Sequence, residues 1–541
     1  MTGPPRRQVR PVGDRAVLAE CDDLQEVIDL HATLQRRPLP GQRDVLAAAR
    51  TVMVVAEAPS AVASLAREVA ALTAEPGDAR EGPLVEIDTV YDGEDLAVVA
   101  ELTGLSPEGV VRAHTGQVWT AAFGGFAPGF AYLVGENHDL DVPRRDTPRT
   151  AVPAGSVALA GGFSAVYPRE SPGGWQLIGR TGARMWDLAR PQPALVRPGA
   201  RVRYRAVREV VEAVDPAEPA SGSATGQARP SLTPEMTSRD GVDVSPPGRG
   251  GALVVEAPGL QSLVEDLGRP GYLDLGVCPS GAVDRGAAVR ANRLVGNPRD
   301  AAVVETVPSG LRLRADGDQV LAVTGAPAAL TVEGDGGVRR PPTDAPFALR
   351  DGEVLALGPP RAGLRSYVAV RGGLDLAPVL GSRATDTMSG LGPAPLEAGA
   401  VLPVRPPRPG AVVAAPDPAP AWADGPVTVA VVPGPREGWF AADALASLCR
   451  QDWAVTDRSN RVGLRLDGEP LARTRTEELP SEGTVAGAVQ VPASGLPVVF
   501  LADHPTSGGY PVIAVVRTAD LDRLAQVRPG DSLRFVLAPS S

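Results

Sequence analysis

The spacing of apolar positions changes twice within the first 80 residues. A run from Ala16 to Glu20 reads as a strand; then Leu24, Val27, Ile28, His31 and Leu34 recur at helical spacing, predicting a helix from Leu24 to Arg36 with Asp22 or Asp23 as N-cap. The pattern repeats as a strand from Thr51 to Ala56 and a helix from Ser60 to Leu72, with Pro59 and Ser60 marking the helix start. Residues 1–80 are expected to form a small α+β domain, in which His31 is a wall of the first helix face and not a catalyst.

Beyond residue 80 the apolar runs shorten to strand length, and an internal repeat emerges. "VPAGSVALAGGFSAVYPRESPGGWQLIGRT" (152–181) and "VPASGLPVVFLADHPTSGGYPVIAVVRT" (491–518) share a Val-Pro-Ala turn, an apolar strand, a Gly-Gly-aromatic corner and an Arg-Thr ending. Each leads into a Val-Arg-Pro-Gly turn and a last strand, "RVRY" or "SLRF". A weaker echo lies in residues 307–373. Repetition on this scale argues for related β-barrels in both halves. Residues 216–250 hold six prolines, five glycines, five serines and three threonines, too little apolar surface to offset ordering. The expected division is therefore a barrel at 81–212, a flexible linker at 213–251, a β-barrel domain at 252–405, a proline-rich connector at 406–425 and a second barrel at 426–541.

Composition narrows the chemistry. Gly 61 and Pro 56 in 541 residues suit short strands joined by tight turns, and a net charge of −11 would repel a phosphate backbone, so nucleic acid is not an expected partner. No run approaches the ~18 apolar residues needed to span a bilayer, so the expectation is a cytoplasmic chain without a membrane partner. The three cysteines and four histidines are dispersed without metal-ligand spacing, so no metal site is expected within the protein. All 53 basic residues are arginine. A chain without lysine cannot carry biotin, form a Schiff base or build a Walker A loop.

The motifs carry a resemblance. "HTGQVWTAAFGGFAPGFAYLVG", "PRRDTPRTAVPAGSVALAGG" and "YPRESPGGWQLIGRT" resemble the B subunit of bacterial ATP-dependent 5-oxoprolinase, filed as allophanate hydrolase subunit 1, over residues 8–210. "SLVEDLGRPGY", "GVCPSGAVDRGAAVRANRLVGNPRDAAVVE", "GSRATD", "SNRVGLRL", "GAVQVP" and "GGYP" resemble the C subunit over residues 252–538. The resemblance implies a mainly β fold with α+β elements, in which several cyclophilin-like β-barrels accompany the small N-terminal domain. It implies ATP-dependent opening of the lactam of 5-oxoproline to glutamate, with ATP and Mg²⁺ as cofactors and a separate A-type subunit as partner; a homo-oligomer is also compatible. The same modules resemble the carboxyltransferase region of urea carboxylase, which here would need biotin supplied in trans, and a non-catalytic inhibitor–antagonist pair acting on a histidine kinase.

Within those motifs, His114, Arg149 and Asp503 are the candidate catalytic groups. His114 is either a base near neutral pH or a packed histidine. Arg145, Arg149 and Arg180 offer planar guanidiniums for a carboxylate or phosphate, with surface or strand-pairing roles as the alternative. Gly173 and Gly174, and Thr506, Gly508 and Gly509, could present backbone N–H groups as an anion nest or could simply turn a barrel corner. Phe126 and Phe130 are expected to form a lip beside the substrate. Asp284 is a candidate carboxylate whose position before a probable helix favours capping. Arg461 and Gln490 complete the set as candidate binding residues.

Overall fold

The computed structural model describes residues 7–75, 82–209, 251–307, 310–407 and 425–539, together with residues 412, 413, 418 and 422. The expected linker therefore lies outside the described residues except for Gly251, and of the expected connector only scattered residues are described.

Four antiparallel strands open the chain in the order Val9–Val12, Ala16–Glu20, Thr51–Ala56, Gln42–Ala47. The helices Leu24–Arg36 and Val62–Ala71 cover one face, burying Val27, Leu30, Leu34, Leu65 and Val69. Asp23 caps the first helix by accepting from the Glu26 N–H at 2.8 Å, and Glu26 reaches back to the Asp22 N–H at 2.7 Å. His31 is buried in that helix face, as the spacing predicts. The other face of the sheet is equally apolar. Val12, Leu18, Leu46 and Met53 pack against Val485, Phe500, Val512 and Val515 from the far end of the chain.

A seven-stranded barrel follows. Its order is Gln176–Arg180, Ser156–Ala160, Phe163–Val166, Ala131–Val134, Trp119–Gly124, Arg201–Ala206, Leu84–Thr89, with the last two strands of that order running parallel. The seam is closed by paired hydrogen bonds between Val90 and Arg180, at 2.8 and 2.9 Å, and by the Gly93 and Asp95 N–H groups donating to the Ile178 and Leu177 carbonyls. In the C-terminal barrel the equivalent strands, Val427–Pro433 and Val512–Val516, pair over three residues and the ring is complete.

The strand orders of the two barrels are identical once matched from the parallel pair, which confirms the duplication. Its register differs from the expected one. Gly155 and Gly487, both at positive φ (79° and 82°), hold equivalent turns, each donating to the strand that follows, at Tyr167 and Phe500. Val152 thus precedes a barrel strand while Val491 follows one, so the shared Val-Pro-Ala is a coincidence of letters. The Arg-Pro-Gly ends do correspond, whereas Thr181 matches Val516, so the two Arg-Thr pairs lie two residues out of register.

Residues 252–405 were expected as a barrel. They form instead two facing sheets of six and five strands around one core that includes Leu253, Leu313, Val323, Leu355 and Val368. The helix Arg285–Leu294 packs its alanine-rich face on the outside of the smaller sheet, against Val303, Tyr367 and Ala369.

Candidate functional site

His114 lies in the last turn of the helix Pro107–Thr115 and has no exposed surface. Its Nδ1 lies 2.7 Å from the Tyr91 hydroxyl and its Nε2 lies 2.9 Å from Ser164 Oγ, which donates to Tyr204 at 3.1 Å. With the Ser164 proton directed at Tyr204, Nε2 must donate and Nδ1 must accept. Burial pushes the ring's pKa down to about 3, so it is neutral across physiological pH. The base reading is corrected on this ground: the ring has no surface for a substrate to touch. The other barrel gives the reason. Trp119 donates its indole N–H to the His114 carbonyl at 3.0 Å, and Trp453 donates likewise to the Leu448 carbonyl at 2.9 Å. Strand registers then match Ser164 with Pro497 and Tyr204 with Phe535. The histidine occupies the place of a core leucine.

The candidate arginines of this barrel already hold partners. Arg145 and Arg149 converge on Asp95 at 2.6 and 2.9 Å, Arg149 also reaches Glu94 at 3.0 Å, and the second Asp95 oxygen accepts from the Leu177 N–H. The cluster pins a helix start to the barrel wall, although Arg145 Nε and Arg149 Nη1 remain buried without a partner. Exposed Arg180 pairs with Asp92 at 2.9 Å. None of Gly173, Gly174, Gly508 and Gly509 has positive φ, so the alternation that makes an anion nest is absent. Gly173 is required for another reason, since a Cβ there would fall 2.2 Å from the Tyr167 hydroxyl.

The glycine-rich corner at 124–135 is a junction. A Cβ on Gly124 would meet the Asp274 carbonyl at 2.1 Å and one on Gly125 would meet Ser507 Oγ at 2.9 Å, while the Gly129 N–H donates to the Leu275 carbonyl. The glycines let the backbone of the second half approach. Phe130 is buried and half-buried Phe126, at φ 65°, packs edge-to-face on it; with Tyr132, Tyr167 and Trp175 these rings extend the core of the N-terminal domain. They do not line the cavity described below, and the expected substrate lip is a packing surface.

In the second half Asp503 and Arg461 do meet, deep between the sandwich and the barrel. Arg461 is in ion-pair range of Asp503 at 3.0 Å, of Glu265 at 3.1 Å and of Glu305. Asp503 also accepts from Ser280 and Thr387, both at 2.6 Å. Burial opposes its charge, but Arg461 and these donors outweigh it and hold the carboxyl below its usual range. Glu265 is the loser of the crowd, since burial and neighbouring carboxylates raise its pKa and neither of its oxygens has a hydrogen-bond partner among the described residues. Asp284 caps the Arg285–Leu294 helix through the Ala287 N–H at 2.8 Å, as expected, and also accepts from Gln526. Gln490 is tied to the Tyr510 carbonyl at 3.0 Å, and buried Thr506 Oγ1 has no hydrogen-bond partner among the described residues.

A cavity of about 340 Å³ lies elsewhere, between the N-terminal sheet, the 270–285 segment and the C-terminal barrel. Its wall is mostly apolar, as ligand pockets commonly are, and none of the expected site residues lines it. His504 does. Its Nδ1 lies 2.8 Å from the Pro505 carbonyl, so the proton sits on Nδ1 and Nε2 keeps a lone pair without a hydrogen-bond partner among the described residues. The ring is 5% exposed, stacks on Phe500 at 5.9 Å, and burial lowers its pKa to about 4.

Three guanidiniums also line the cavity. Arg15 donates to the Ala486 and Val516 carbonyls, and burial lowers its pKa to about 10. Arg285 donates to the Ser280 carbonyl at 3.2 Å, and its pKa is lowered by burial and then by the nearby Arg43. Among the described residues neither Arg285 nor Arg43 forms an ion pair. The lining acids are engaged: Asp522 accepts the Arg285 and Gly286 N–H groups, Asp44 those of Gly271 and Val45, and Asp14 that of Thr518. Burial pushes Asp44 up to about 6; Glu57 is exposed at the rim. Sequence reasoning missed this set because its members sit outside the matched motifs or, like Arg285 and His504, directly beside a more conspicuous aspartate.

Comparison with known proteins follows the same division. Residues 7–196 match the family model described as carboxyltransferase domain, subdomain C and D, and residues 275–537 match carboxyltransferase domain, subdomain A and B. The second half is 35% identical over 290 residues to the C subunit of 5-oxoprolinase from Escherichia coli K12, covering 52% of this chain and 90% of that one. The first half is 47% identical over 134 residues to the B subunit of 5-oxoprolinase from Escherichia coli O157:H7, covering 24% of this chain and 62% of that one. The crystal structure of TTHA0988 in space group P212121 is 34% identical, covers 98% of this chain and 100% of its own, and superposes with a TM-score of 0.79.

Proposed function

Because the chain belongs to the family of 5-oxoprolinase B-subunit and C-subunit homologues, fused here in one polypeptide, we propose that it is a component of an ATP-dependent 5-oxoprolinase. It acts with a separate A-type subunit to open the lactam of 5-oxoproline to glutamate. The observation that carries this reading is that two separate subunits of one named enzyme each match one half of the chain.

An unstrained lactam is a poor electrophile. Transfer of the ATP γ-phosphoryl group to the lactam oxygen, with ADP as leaving group, would open the ring carbon to water. Water adds there, the C–N bond breaks with a proton passing to nitrogen, and a second water cleaves the resulting acyl phosphate to glutamate and inorganic phosphate. Mg²⁺ would travel with the nucleotide, keeping several waters and needing only one or two protein carboxylates. The protein's own contribution would be to bind and orient the lactam where the halves meet.

The test is reconstitution. The purified chain with an A-type partner, ATP and Mg²⁺ should release glutamate from 5-oxoproline, and the chain alone should not. A complete mixture that consumes ATP without forming glutamate would defeat the proposal. Biotin-dependent carboxyl transfer, the activity the family models are named for, would instead be seen as loss of carboxyl from free carboxybiotin, since the chain has no lysine to hold biotin covalently.

A further inference from the structure

We propose that the cavity between the N-terminal sheet and the C-terminal barrel is the subsite for a compact cyclic amide bearing a carboxylate, with Arg43 and Arg285 receiving the carboxylate and His504 Nε2 accepting the ring N–H. The inference rests on the 5-oxoprolinase reading and adds a location and three roles to it.

Three independent observations converge. The first is charge. Burial and then the nearby Arg43 lower the pKa of Arg285, with Asp522 opposing them, yet neither Arg43 nor Arg285 has a carboxylate within ion-pair distance among the described residues. The acids of the wall offset this only in part: Asp522 favours the charge on Arg285 from beyond ion-pair distance, and Asp522, Asp44 and Asp14 spend hydrogen-bonding capacity on backbone N–H groups. Two neighbouring guanidiniums without a directly paired carboxylate suit a ligand carboxylate, which they can grip through paired N–H donors.

The second is His504. Its tautomer is set by the Pro505 carbonyl, so this buried ring of the cavity wall keeps Nε2 as an acceptor with no hydrogen-bond partner among the described residues. A lactam N–H supplies the missing donor. The third is size and surface. About 340 Å³ with walls such as Val55, Pro59, Leu273 and Val283 suits a small ring, at the lower end of the ~300–1,000 Å³ usual for small-molecule pockets. His504 also stays uncharged when the ring N–H binds, so the contact requires no proton transfer. It is a positioning contact to substrate, and the chemistry remains that of the phosphoryl transfer.

Calorimetric titration of 5-oxoproline into the full chain, with the A-type partner present, tests this. Arg43→Gln, at an exposed position that cannot unfold the chain, should weaken binding tenfold or more, and Arg285→Gln at least as much. His504→Asn keeps a donor toward Pro505 but removes the acceptor, and should also weaken binding about tenfold. 2-Pyrrolidinone, which lacks the carboxylate, should bind weakly and lose nothing further in Arg43→Gln. Failure of 5-oxoproline to bind, or affinities within twofold of wild type in both Arg43→Gln and His504→Asn, would overturn the assignment. The two readings separate cleanly: normal glutamate release with unchanged KM in these variants removes the cavity and keeps the enzyme, whereas arginine-dependent binding without glutamate keeps the cavity and removes the enzyme.

Discussion

The two barrels share a strand order and differ in what fills them. Both seat a tryptophan, Trp119 or Trp453, whose indole N–H donates to a helix carbonyl five residues earlier. Around it the middle barrel joins half-buried Tyr91 to buried His114, Ser164 and Tyr204 in one hydrogen-bonded chain, where the C-terminal barrel places Leu448, Pro497 and Phe535. A buried polar set is tolerable only when every member finds a partner. The lesson is that a lone histidine in a motif can be one solution to a packing problem that a duplicate solved with leucine. Conversely, the cavity histidine, His504, has only one of its ring nitrogens satisfied among the described residues.

The comparison predicts a hierarchy of effects. Truncating the shared element should cost most and cost both barrels alike: Trp119→Ala and Trp453→Ala should each destabilise by about 3–5 kcal/mol, read from denaturant midpoints. If only one does, the scaffolds are not equivalent. Transplanting the leucine solution is next. His114→Leu strands the Tyr91 and Ser164 hydroxyls and should cost about 1–3 kcal/mol, while turnover per folded molecule in the reconstituted assay stays unchanged. The same variant should flatten the acid limb of stability. A histidine whose folded pKa is about 3, against an ordinary 6.5, takes up its proton more readily when unfolded. Its contribution is therefore intact above pH 6.5 and lost as pH falls toward 3. Thermal melts between pH 7 and 4 that run parallel for wild type and variant would refute this. Smallest of all, Arg180→Ala removes an exposed ion pair at the weaker seam and should change stability by less than about 1 kcal/mol.

Much of the architecture was legible. The strands 16–20 and 51–56 and the helix 24–36 fall where the apolar spacing placed them. The strands Val9–Val12 and Gln42–Ala47 did not announce themselves, because both are sheet edges and carry Pro11, Arg10, Arg43 and Asp44, residues an edge tolerates and a central strand would not. The barrel repeat was visible in its turns, but local turns do not specify whether a sheet closes, and residues 252–405 formed two sheets instead. The candidate site was the least legible part. Motifs drew attention to Arg145, Arg149, Asp503 and the glycine pairs, whose chemistry is consumed by internal contacts. The cavity draws on residues 15, 43, 285 and 504, which no spacing rule relates.

The N-terminal sheet has two apolar faces, and its own helices cover only one. The cover for the other is encoded near residues 485–515, roughly 440 residues downstream, so at ~5–20 residues/s the ribosome supplies it about 20 to 90 s later. During that interval the nascent chain carries an uncovered hydrophobic surface that invites chaperones or aggregation. Joining the halves in one polypeptide turns the end of that wait into an intramolecular event, independent of how much of any second polypeptide the cell has made.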